Sequence, residues 1–343
     1  MSNKGSAVHL AILDDYQDLS SQYVNWDRFA DVSVVPFRDH VHDHDELVRR
    51  LSPFDVVMRI RERTEFPRSV LERLPRLKLI LATGMRNARS LDLEAAAEFG
   101  ITVCTTDALH QTTVELTWGM ILSMMRRLPQ EAASLRAGGW QTGLGQGLAG
   151  KTLGIVGLGN MGQPIAKIAQ AFGMHVVAWS RNLTPERTAP FGVTSVSKHE
   201  LFSCSDVVTL HLPHSDTTHA IVSAADIAAM KSSAYLINTA RPALIDEEAL
   251  IAALSTGRIA GAALDVFGVE PLPSDHPFRT LPNVLATPHI GFVTAENMRT
   301  FFEVSALNLA AFLDGKAINT IDCASPFLPD SQVAKQMHAQ KLS

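Results

Sequence analysis

The sequence has few cysteines, no excess of one charge and no long apolar run. Its 343 residues include only three cysteines, Cys104, Cys204 and Cys323, without metal-binding or redox spacing, which predicts reduced thiols in a cytoplasmic compartment. Thirty lysines and arginines against 35 aspartates and glutamates give a formal net charge of −5, with no long basic block. This charge pattern argues against nucleic acid or an anionic membrane surface as a partner.

The apolar runs are also too short for a membrane. Glycines, prolines or charged residues interrupt every candidate for the run of about 18 apolar residues that a membrane-spanning helix needs. The first apolar run, at 8–13, is too short for the core of a signal peptide. With 46% hydrophobic and 19% charged residues, the composition is typical of a globular protein, and its length predicts about two domains.

Short apolar runs alternate with amphipathic stretches along most of the chain. Strands are predicted at 9–13, 32–35, 55–58, 78–82 and 101–104, and again at 152–156, 175–179, 206–210, 234–238, 259–264 and 284–286. Helices are predicted at 46–51, 68–74, 91–99 (ended by Gly100), 113–128 (ended by Pro129) and 297–313, with a Gly-rich segment at 138–150. The alternation favours an α/β protein with two doubly wound parallel sheets.

A glycine-rich turn follows the predicted strand at 152–156 and precedes an apolar helix. Here Gly157 permits a tight turn, Gly159 lets a pyrophosphate approach the backbone, and Gly162 permits close helix–strand packing. This context predicts a dinucleotide site, and the alternative is a purely structural turn. The expected contacts are Gly157, Gly159, Asn160, Met161 and Gly162.

The choice between NAD and NADP depends on the end of the strand at 175–179. Proteins that prefer NAD usually place an acidic residue there, about 20 residues after the glycines, to bind the ribose 2′-hydroxyl. This sequence has Ser180 and Arg181 instead. Because a 2′-phosphate would accept charge-assisted hydrogen bonds from Arg181, we predict a preference for NADP. NAD is the alternative if Arg181 points into solvent.

Four ordered blocks resemble the D-isomer-specific 2-hydroxyacid dehydrogenase family, which includes phosphoglycerate dehydrogenase and glyoxylate/hydroxypyruvate reductase. They lie at 157–162, 238–241, 265–271 and 287–291, within a resemblance that runs from residue 55 to residue 313. The resemblance implies a flavodoxin-like substrate domain at 1–110 and 302–343, and an inserted Rossmann domain for NAD(P) at 111–301. It also implies hydride transfer between nicotinamide and a 2-oxo acid/D-2-hydroxy acid pair in the cleft between the domains.

The implied catalytic residues are Arg241, Glu270 and His289. Reduction of a 2-oxo acid requires a cation for the carboxylate, a proton for the carbonyl oxygen and a hydride. Arg241 resembles the family's substrate-binding arginine, and His289 resembles its acid/base residue. Glu270 resembles the carboxylate that orients this histidine and stabilises its protonated form.

Further contacts are implied by the same resemblance. Asp265 is expected to bind the nicotinamide carboxamide. Other cofactor contacts are expected from Leu212, Pro213, Thr239, Ala240 and Gly291, and substrate contacts from Arg61, Gly84, Met85 and Arg241. The family is typically dimeric, so a homodimer with an interface at 113–150 is expected.

Two features lead to alternatives. Pro242 stands where the family usually has glycine, and it favours an extended backbone at Arg241. A distorted turn here would make the protein a weak or inactive homologue that acts as a nucleotide-sensing binding protein. The alternating His40, His42 and His44 suggest a metal site, but no second ligand cluster accompanies them, so no metal is expected.

Overall fold

The computed structural model describes residues 7–84 and 90–324, which fall into two α/β units. The first unit holds the chain up to Leu109 and from Ala295 onward, and the second holds His110–Thr294. The predicted boundary between residues 301 and 302 falls inside the last helix, Ala295–Leu313, which belongs as a whole to the first unit.

Every strand in both units runs parallel to its neighbours. In chain order they are β1 Val8–Ile12, β2 Val32–Pro36, β3 Val56–Ile60, β4 Leu79–Thr83, β5 Thr102–Thr105, β6 Thr152–Val156, β7 His175–Trp179, β8 Thr194–Ser195, β9 Val207–Leu210, β10 Tyr235–Asn238, β11 Gly261–Leu264 and β12 Val284–Ala286. All eleven predicted strands are present, with ends shifted by at most two residues. The two-residue β8 was not predicted, because two residues cannot show a periodic pattern.

The helices cover the faces of the two sheets. They are α1 Ser20–Tyr23, α2 His44–Leu51, α3 Arg68–Leu71, α4 Leu93–Glu98, α5 Gln111–Met125, α6 Leu128–Arg136, α7 Gly162–Ala171, α8 Pro185–Thr188, α9 Lys198–Cys204, α10 Ala224–Ala229, α11 Glu247–Ser255 and α12 Ala295–Leu313. Within the described ranges, none of them combines the length and hydropathy that a bilayer crossing requires.

The sheet of the first unit has the order β2-β1-β3-β4-β5, the order of flavodoxin-like folds. Strands β3 and β4 are buried along their whole length, which explains their nearly continuous apolar sequences. The ends of the helices follow local chemistry. For example, the Asp92 carboxylate accepts the Ala95 N–H at 2.8 Å at the start of α4, and Gly100, with φ +70°, follows its end as predicted.

A side-chain amide fixes the point where the chain leaves and re-enters the first unit. Asn297 is buried; its Oδ1 accepts the N–H of Leu109 at 2.7 Å, and its Nδ2 donates to the Leu109 carbonyl at 3.3 Å. Farther along α12, Asn308 Nδ2 donates to the carbonyl of Thr105 at 3.0 Å. These bonds attach α12 to the end of β5 and to the segment that follows it.

The sheet of the second unit has the order β12-β11-β10-β9-β6-β7-β8, a Rossmann arrangement. From β6 the chain adds strands on one side, then crosses to β9 on the other, so the topological switch point lies between β6 and β9. Because the strands are parallel, all their carboxyl ends lie at one edge of the sheet. Ligands bind at this edge in folds of this type.

The helix predicted at 113–128 is α5, which ends three residues before the predicted end, and a second helix, α6, follows it. Helix α5 ends at Met125, and Arg127 adopts a left-handed φ of +55° before α6 begins. Pro129 therefore does not end a helix. It lies in the first turn of α6, where its missing N–H removes no helical hydrogen bond.

Candidate active site

The glycine turn (residues 157–162) joins β6 to α7 at the switch point of the second sheet. Gly157 has φ +102°, and a Cβ there would lie 2.8 Å from Leu212 Cδ2 and 2.9 Å from the carbonyl oxygen of His211. A Cβ on Gly162 would overlap the carbonyl oxygen of Gly157. Both positions therefore require glycine, for the reasons that the sequence motif suggested.

Gly159 lies in a different environment. A Cβ there would meet no atom within 4 Å. Helix α7 has ten residues, and its N-cap residue, Met161, makes no side-chain capping bond, while its first turn carries no acidic side chain. Such a helix end presents N–H groups and a positive dipole to an anion. Together with the open space at Gly159 and the exposed Asn160, it fits the pyrophosphate of a dinucleotide.

The predicted selectivity residues follow β7. Trp179, its last residue, accepts the N–H of Gly157 through its carbonyl at 2.9 Å, which places this strand end beside the glycine turn. Ser180 is half-buried and Arg181 is exposed. No carboxylate stands at either position, and the Arg181 guanidinium is accessible to a ligand.

The residues after β9 form the other side of the glycine turn. Leu212 contacts the turn at Gly157, and Pro213 beside it is exposed. The ring of His211 turns inward, with Nε2 2.8 Å from the Thr209 hydroxyl. Burial lowers the pKa of His211 to about 3, so its imidazole is neutral at physiological pH.

The arginine turn (residues 238–242) follows β10. Asn238 Oδ1 accepts the Ala240 N–H at 3.0 Å, and Asn238 Nδ2 donates to the Arg241 carbonyl at 2.9 Å. Arg241 is extended, with φ −145° and ψ 140°, which confirms the effect expected of the proline after it. Pro242 begins the short 3₁₀ helix Pro242–Leu244, where its missing N–H is tolerated.

Asp265 follows β11 and holds the histidine loop (residues 287–291). Its Oδ1 accepts the Thr287 hydroxyl at 2.6 Å and the Ile290 N–H at 2.8 Å, and its Oδ2 accepts the Gly291 N–H at 2.8 Å. Burial raises the pKa of Asp265 in spite of these bonds. Asp265 is itself buried, and its predicted contact with the nicotinamide carboxamide stays a prediction.

His289 stands in this loop with a left-handed φ of +51°, which is unfavourable for a residue other than glycine. Its Nδ1 lies 2.6 Å from Glu270 Oε2, and Glu270 Oε1 accepts the Phe267 N–H at 2.9 Å. The two side chains keep 19% and 26% of their surface exposed. Because Nδ1 faces Glu270, Nε2 is the nitrogen available to exchange a proton with a ligand.

These side chains share one edge of the sheet. Arg241 follows β10, Asp265 and Glu270 follow β11, and His289 follows β12, and these three strands are neighbours. The structure thus brings the predicted catalytic residues to the edge that also carries the glycine turn.

Two threonines on α5 contact the site and were not predicted from the sequence. Thr113 Oγ1 donates to the Gly291 carbonyl at 3.1 Å, and Thr117 Oγ1 lies 2.8 Å from the hydroxyl of Thr239. A Cβ on Gly291 would lie 3.1 Å from Asp265 Oδ2 and 3.3 Å from Thr113, so Gly291 is tightly enclosed. Hydroxyls four residues apart on a largely apolar helix were the available signal, because such positions share one helix face.

The first unit contains the remaining predicted substrate residues. Arg61 follows β3 and has φ +56°; its guanidinium donates to the carbonyl of Gly84, which follows β4 and has φ +61°. The Gly84 N–H donates to the Thr106 hydroxyl at 2.8 Å, and a Cβ on Gly84 would lie 2.6 Å from Phe301. The glycine is therefore needed for its conformation and close packing. Met85 lies outside the described residues.

The histidine-rich segment has a structural contact. His40 Nδ1 lies 2.9 Å from the buried Asp14 carboxylate, and its ring packs edge-on against His42. In the part of the chain that the structure describes, no set of three or more His, Cys, Asp or Glu side chains is arranged for a metal ion.

Comparison with known proteins adds independent findings. Residues 118–291 match the family model of the NAD-binding domain of D-isomer-specific 2-hydroxyacid dehydrogenases. D-3-phosphoglycerate dehydrogenase of Methanocaldococcus jannaschii is 38% identical over 296 residues, 85% of this chain, but the chain spans only 56% of that relative's length. Glyoxylate reductase of Thermococcus litoralis is 40% identical over 261 residues, 73% of this chain and 78% of the relative.

A solved structure resembles both units. The crystal structure of a phosphoglycerate oxidoreductase from Vibrio cholerae O395 aligns with a TM-score of 0.85 and 35% sequence identity. The alignment covers 90% of this chain and 99% of the other.

Proposed function

This chain belongs to the D-isomer-specific 2-hydroxyacid dehydrogenase family, and we propose that it interconverts a small 2-oxo acid and the matching D-2-hydroxy acid with a nicotinamide dinucleotide. The observation that carries the proposal is the 2.6 Å contact between His289 Nδ1 and Glu270 Oε2. It lies at the sheet edge that also carries the glycine turn and Arg241. An imidazole oriented in this way is suited to protonate a carbonyl oxygen.

Each side chain has one proposed task. His289 donates a proton from Nε2 to the carbonyl oxygen during reduction and accepts it back during oxidation. Glu270 holds Nδ1 and stabilises the charged imidazole, and Arg241 binds the substrate carboxylate through its planar fork of N–H groups. When bound, the nicotinamide supplies or accepts the hydride. Proton transfer of this kind typically contributes about 10²–10⁴-fold to the rate.

The dinucleotide is proposed to lie along the carboxyl edge of the second sheet. Its pyrophosphate is held by the N–H groups of the glycine turn and the start of α7. The other proposed cofactor contacts are Ser180, Arg181, Leu212, Pro213, Thr239, Ala240, Asp265 and Gly291. In the first unit, Arg61, Gly84 and Met85 are the proposed substrate contacts.

A preference for NADP is proposed on the exposed Arg181 and the missing carboxylate after β7. Replacing Arg181 by Ala is expected to lower kcat/KM for NADPH about tenfold or more and to leave that for NADH nearly unchanged, since one charge-assisted hydrogen bond contributes about 1.5–3 kcal/mol. Arg187→Ala is the matched control, because this exposed guanidinium donates to the Asn182 carbonyl. Equal or better use of NADH by the unmodified protein would contradict the proposal.

A homodimer is also proposed, with residues 113–150 at its interface. In that segment Leu135, Trp140 and Leu144 are 60%, 75% and 96% exposed. Exposed apolar side chains grouped in this way are typical of protein interfaces. Light scattering is expected to give the mass of two chains, and a monomer at micromolar concentration would contradict the dimer.

A cytoplasmic location completes the proposal. All three cysteines are free, and burial raises the pKa of the Cys104 thiol to about 12. Free thiols are typical of reducing compartments.

The reaction is tested by following nicotinamide absorbance with a panel of 2-oxo acids, using NADPH and NADH side by side. The panel contains glyoxylate, hydroxypyruvate, pyruvate, phenylpyruvate and branched 2-oxo acids. Turnover of at least one acid to its D-2-hydroxy product is expected. If none of these acids is turned over while dinucleotide binding is retained, the proposed reaction is contradicted and the nucleotide-sensing alternative is favoured.

A further inference from the structure

Three threonines connect the arginine turn to the histidine loop. We propose that Thr113, Thr117 and Thr239, the threonine network, are positioning residues that fix Arg241 and His289 relative to each other. This inference rests on the proposed function, because it concerns the same site. None of the three hydroxyls is assigned a part in the proton transfer itself.

The directions of the hydrogen bonds follow from proton counting. Thr117 Oγ1 donates to the Thr113 carbonyl at 2.8 Å, and a hydroxyl has only one proton to give. The 2.8 Å contact between Thr117 and Thr239 must therefore have Thr239 as its donor. Thr113 donates its own hydroxyl proton to the Gly291 carbonyl at 3.1 Å. Each hydroxyl proton in the network is thus committed to one partner.

Both ends of the network lie close to a catalytic side chain. Thr239 precedes Arg241 by two residues, inside the turn that the Asn238 side chain holds. Gly291 follows His289 by two residues, and its N–H is already bound by Asp265. With its carbonyl bound by Thr113, Gly291 is held through both of its backbone polar groups. Helix α5 therefore acts as a rigid spacer between the two loops.

The contacts are buried, which makes the loss of one hydroxyl matter. Thr117 is fully buried and Thr239 is 7% exposed. Without the Thr117 hydroxyl, the Thr113 carbonyl keeps its helical N–H partner, but the Thr239 hydroxyl loses its acceptor. The disturbance therefore falls on the arginine turn. A small displacement there matters, since a misplacement of about 1 Å can lower a rate by about a hundredfold.

The test compares Thr117→Val, which keeps the shape and removes the hydroxyl, with Thr117→Ser, which keeps the hydroxyl. Thr188→Val is the matched control: Thr188 is buried in the same unit, and its hydroxyl donates to the Pro185 carbonyl at 3.1 Å. Amide hydrogen exchange is measured over residues 238–242 and 287–291. Turnover and NADPH affinity are measured on the same samples.

Thr117→Val is expected to speed exchange in the arginine turn and to lower kcat about tenfold or more. Thr117→Ser is expected to keep the exchange rate and kcat of the unmodified protein. Thr188→Val is expected to change neither quantity. Thr113→Val, at the other end, is expected to speed exchange mainly in the histidine loop. Unchanged exchange in both Val variants would overturn the inference. If the unmodified protein turned over no 2-oxo acid, the proposed function would fail, while the exchange data would still decide whether the network positions these loops.

Discussion

The glycine turn and the histidine loop lie at the same edge of one sheet, yet they are built in opposite ways. The glycine turn is defined by missing side chains: a Cβ at Gly157 or Gly162 would overlap neighbouring backbone, and one at Gly159 would enter open space. The histidine loop is defined by side chains that reach it from elsewhere, above all the Asp265 carboxylate. A site that binds phosphate needs room, whereas a site that moves a proton needs a fixed side chain.

The largest expected effect is a loss of activity that leaves cofactor binding unchanged, and it distinguishes the histidine loop from the glycine turn. His289→Gln removes the proposed proton donor and is expected to lower kcat about 10²–10⁴-fold, while NADPH affinity at the glycine turn stays the same. Steady-state kinetics and fluorescence titration measure the two quantities. The control is His276→Gln, since His276 also faces a carboxylate, Glu247, at 3.4 Å but lies outside the proposed site. Equal losses in both variants would contradict the assignment.

A second variant tests whether side chains hold the histidine loop. Asp265→Asn places an amide where the carboxylate accepts three hydrogen bonds, so one donor would face another. We expect a loss of about 1–3 kcal/mol in the free energy of unfolding, measured by urea denaturation, together with a fall in kcat.

The matched control for this variant is Asp226→Asn. Asp226 also accepts hydrogen bonds from three groups, the Ser223 N–H and hydroxyl and the Lys198 ammonium, away from the proposed site. It is expected to lose stability and keep kcat. If both variants kept their kcat, Asp265 would have no positioning role.

The glycine turn is tested by two alanine substitutions with opposite outcomes. Gly162→Ala forces a Cβ against the Gly157 carbonyl and is expected to lower the free energy of unfolding by about 1–3 kcal/mol, as overpacking does. Gly159→Ala is expected to leave stability unchanged and weaken NADPH binding, because its methyl group enters the open space. A Gly159→Ala protein that binds NADPH normally would show that this space is not used.

The last prediction concerns His211, which lies beside the glycine turn and makes stability depend on pH. Desolvation lowers the pKa of the half-buried His211 to about 3, whereas an unfolded histidine takes up its proton near pH 6.5. This contribution to stability is therefore present above pH 6.5 and is lost as the pH falls towards 3. We expect a loss of about 2 kcal/mol between pH 7.5 and pH 5, measured by urea denaturation. The loss should be smaller in His211→Asn and unchanged in a variant of the exposed His175.

Local pattern explains which parts of the fold were predictable. The alternation of apolar runs predicted the strands, and the glycine spacing predicted the turn after β6, because both depend on near neighbours in sequence. Pro129 was misinterpreted as the end of a helix because proline is also tolerated in the first turn of the next one. The actual break, the left-handed Arg127, has no distinctive residue type.

The supports of the site were not predictable for a related reason. Asp265 and Gly291 are 26 residues apart, and Thr113 and Gly291 are 178 residues apart. Nothing in the sequence near Thr113 indicates which carbonyl its hydroxyl will bind. The resemblance to a family supplied Arg241, Glu270 and His289, whereas the bonds that hold their loops required the fold.

The side-chain amide of Asn297 bears on how the second unit could be gained or lost during evolution. By binding both the N–H and the carbonyl of Leu109, it joins the two segments of the first unit between which the second unit is inserted. The second unit is thus one continuous insertion, between Leu109 and Ala295 of the first unit. Gain, loss or exchange of the second unit would leave every strand pairing of the first sheet intact, because that sheet contains only β1–β5.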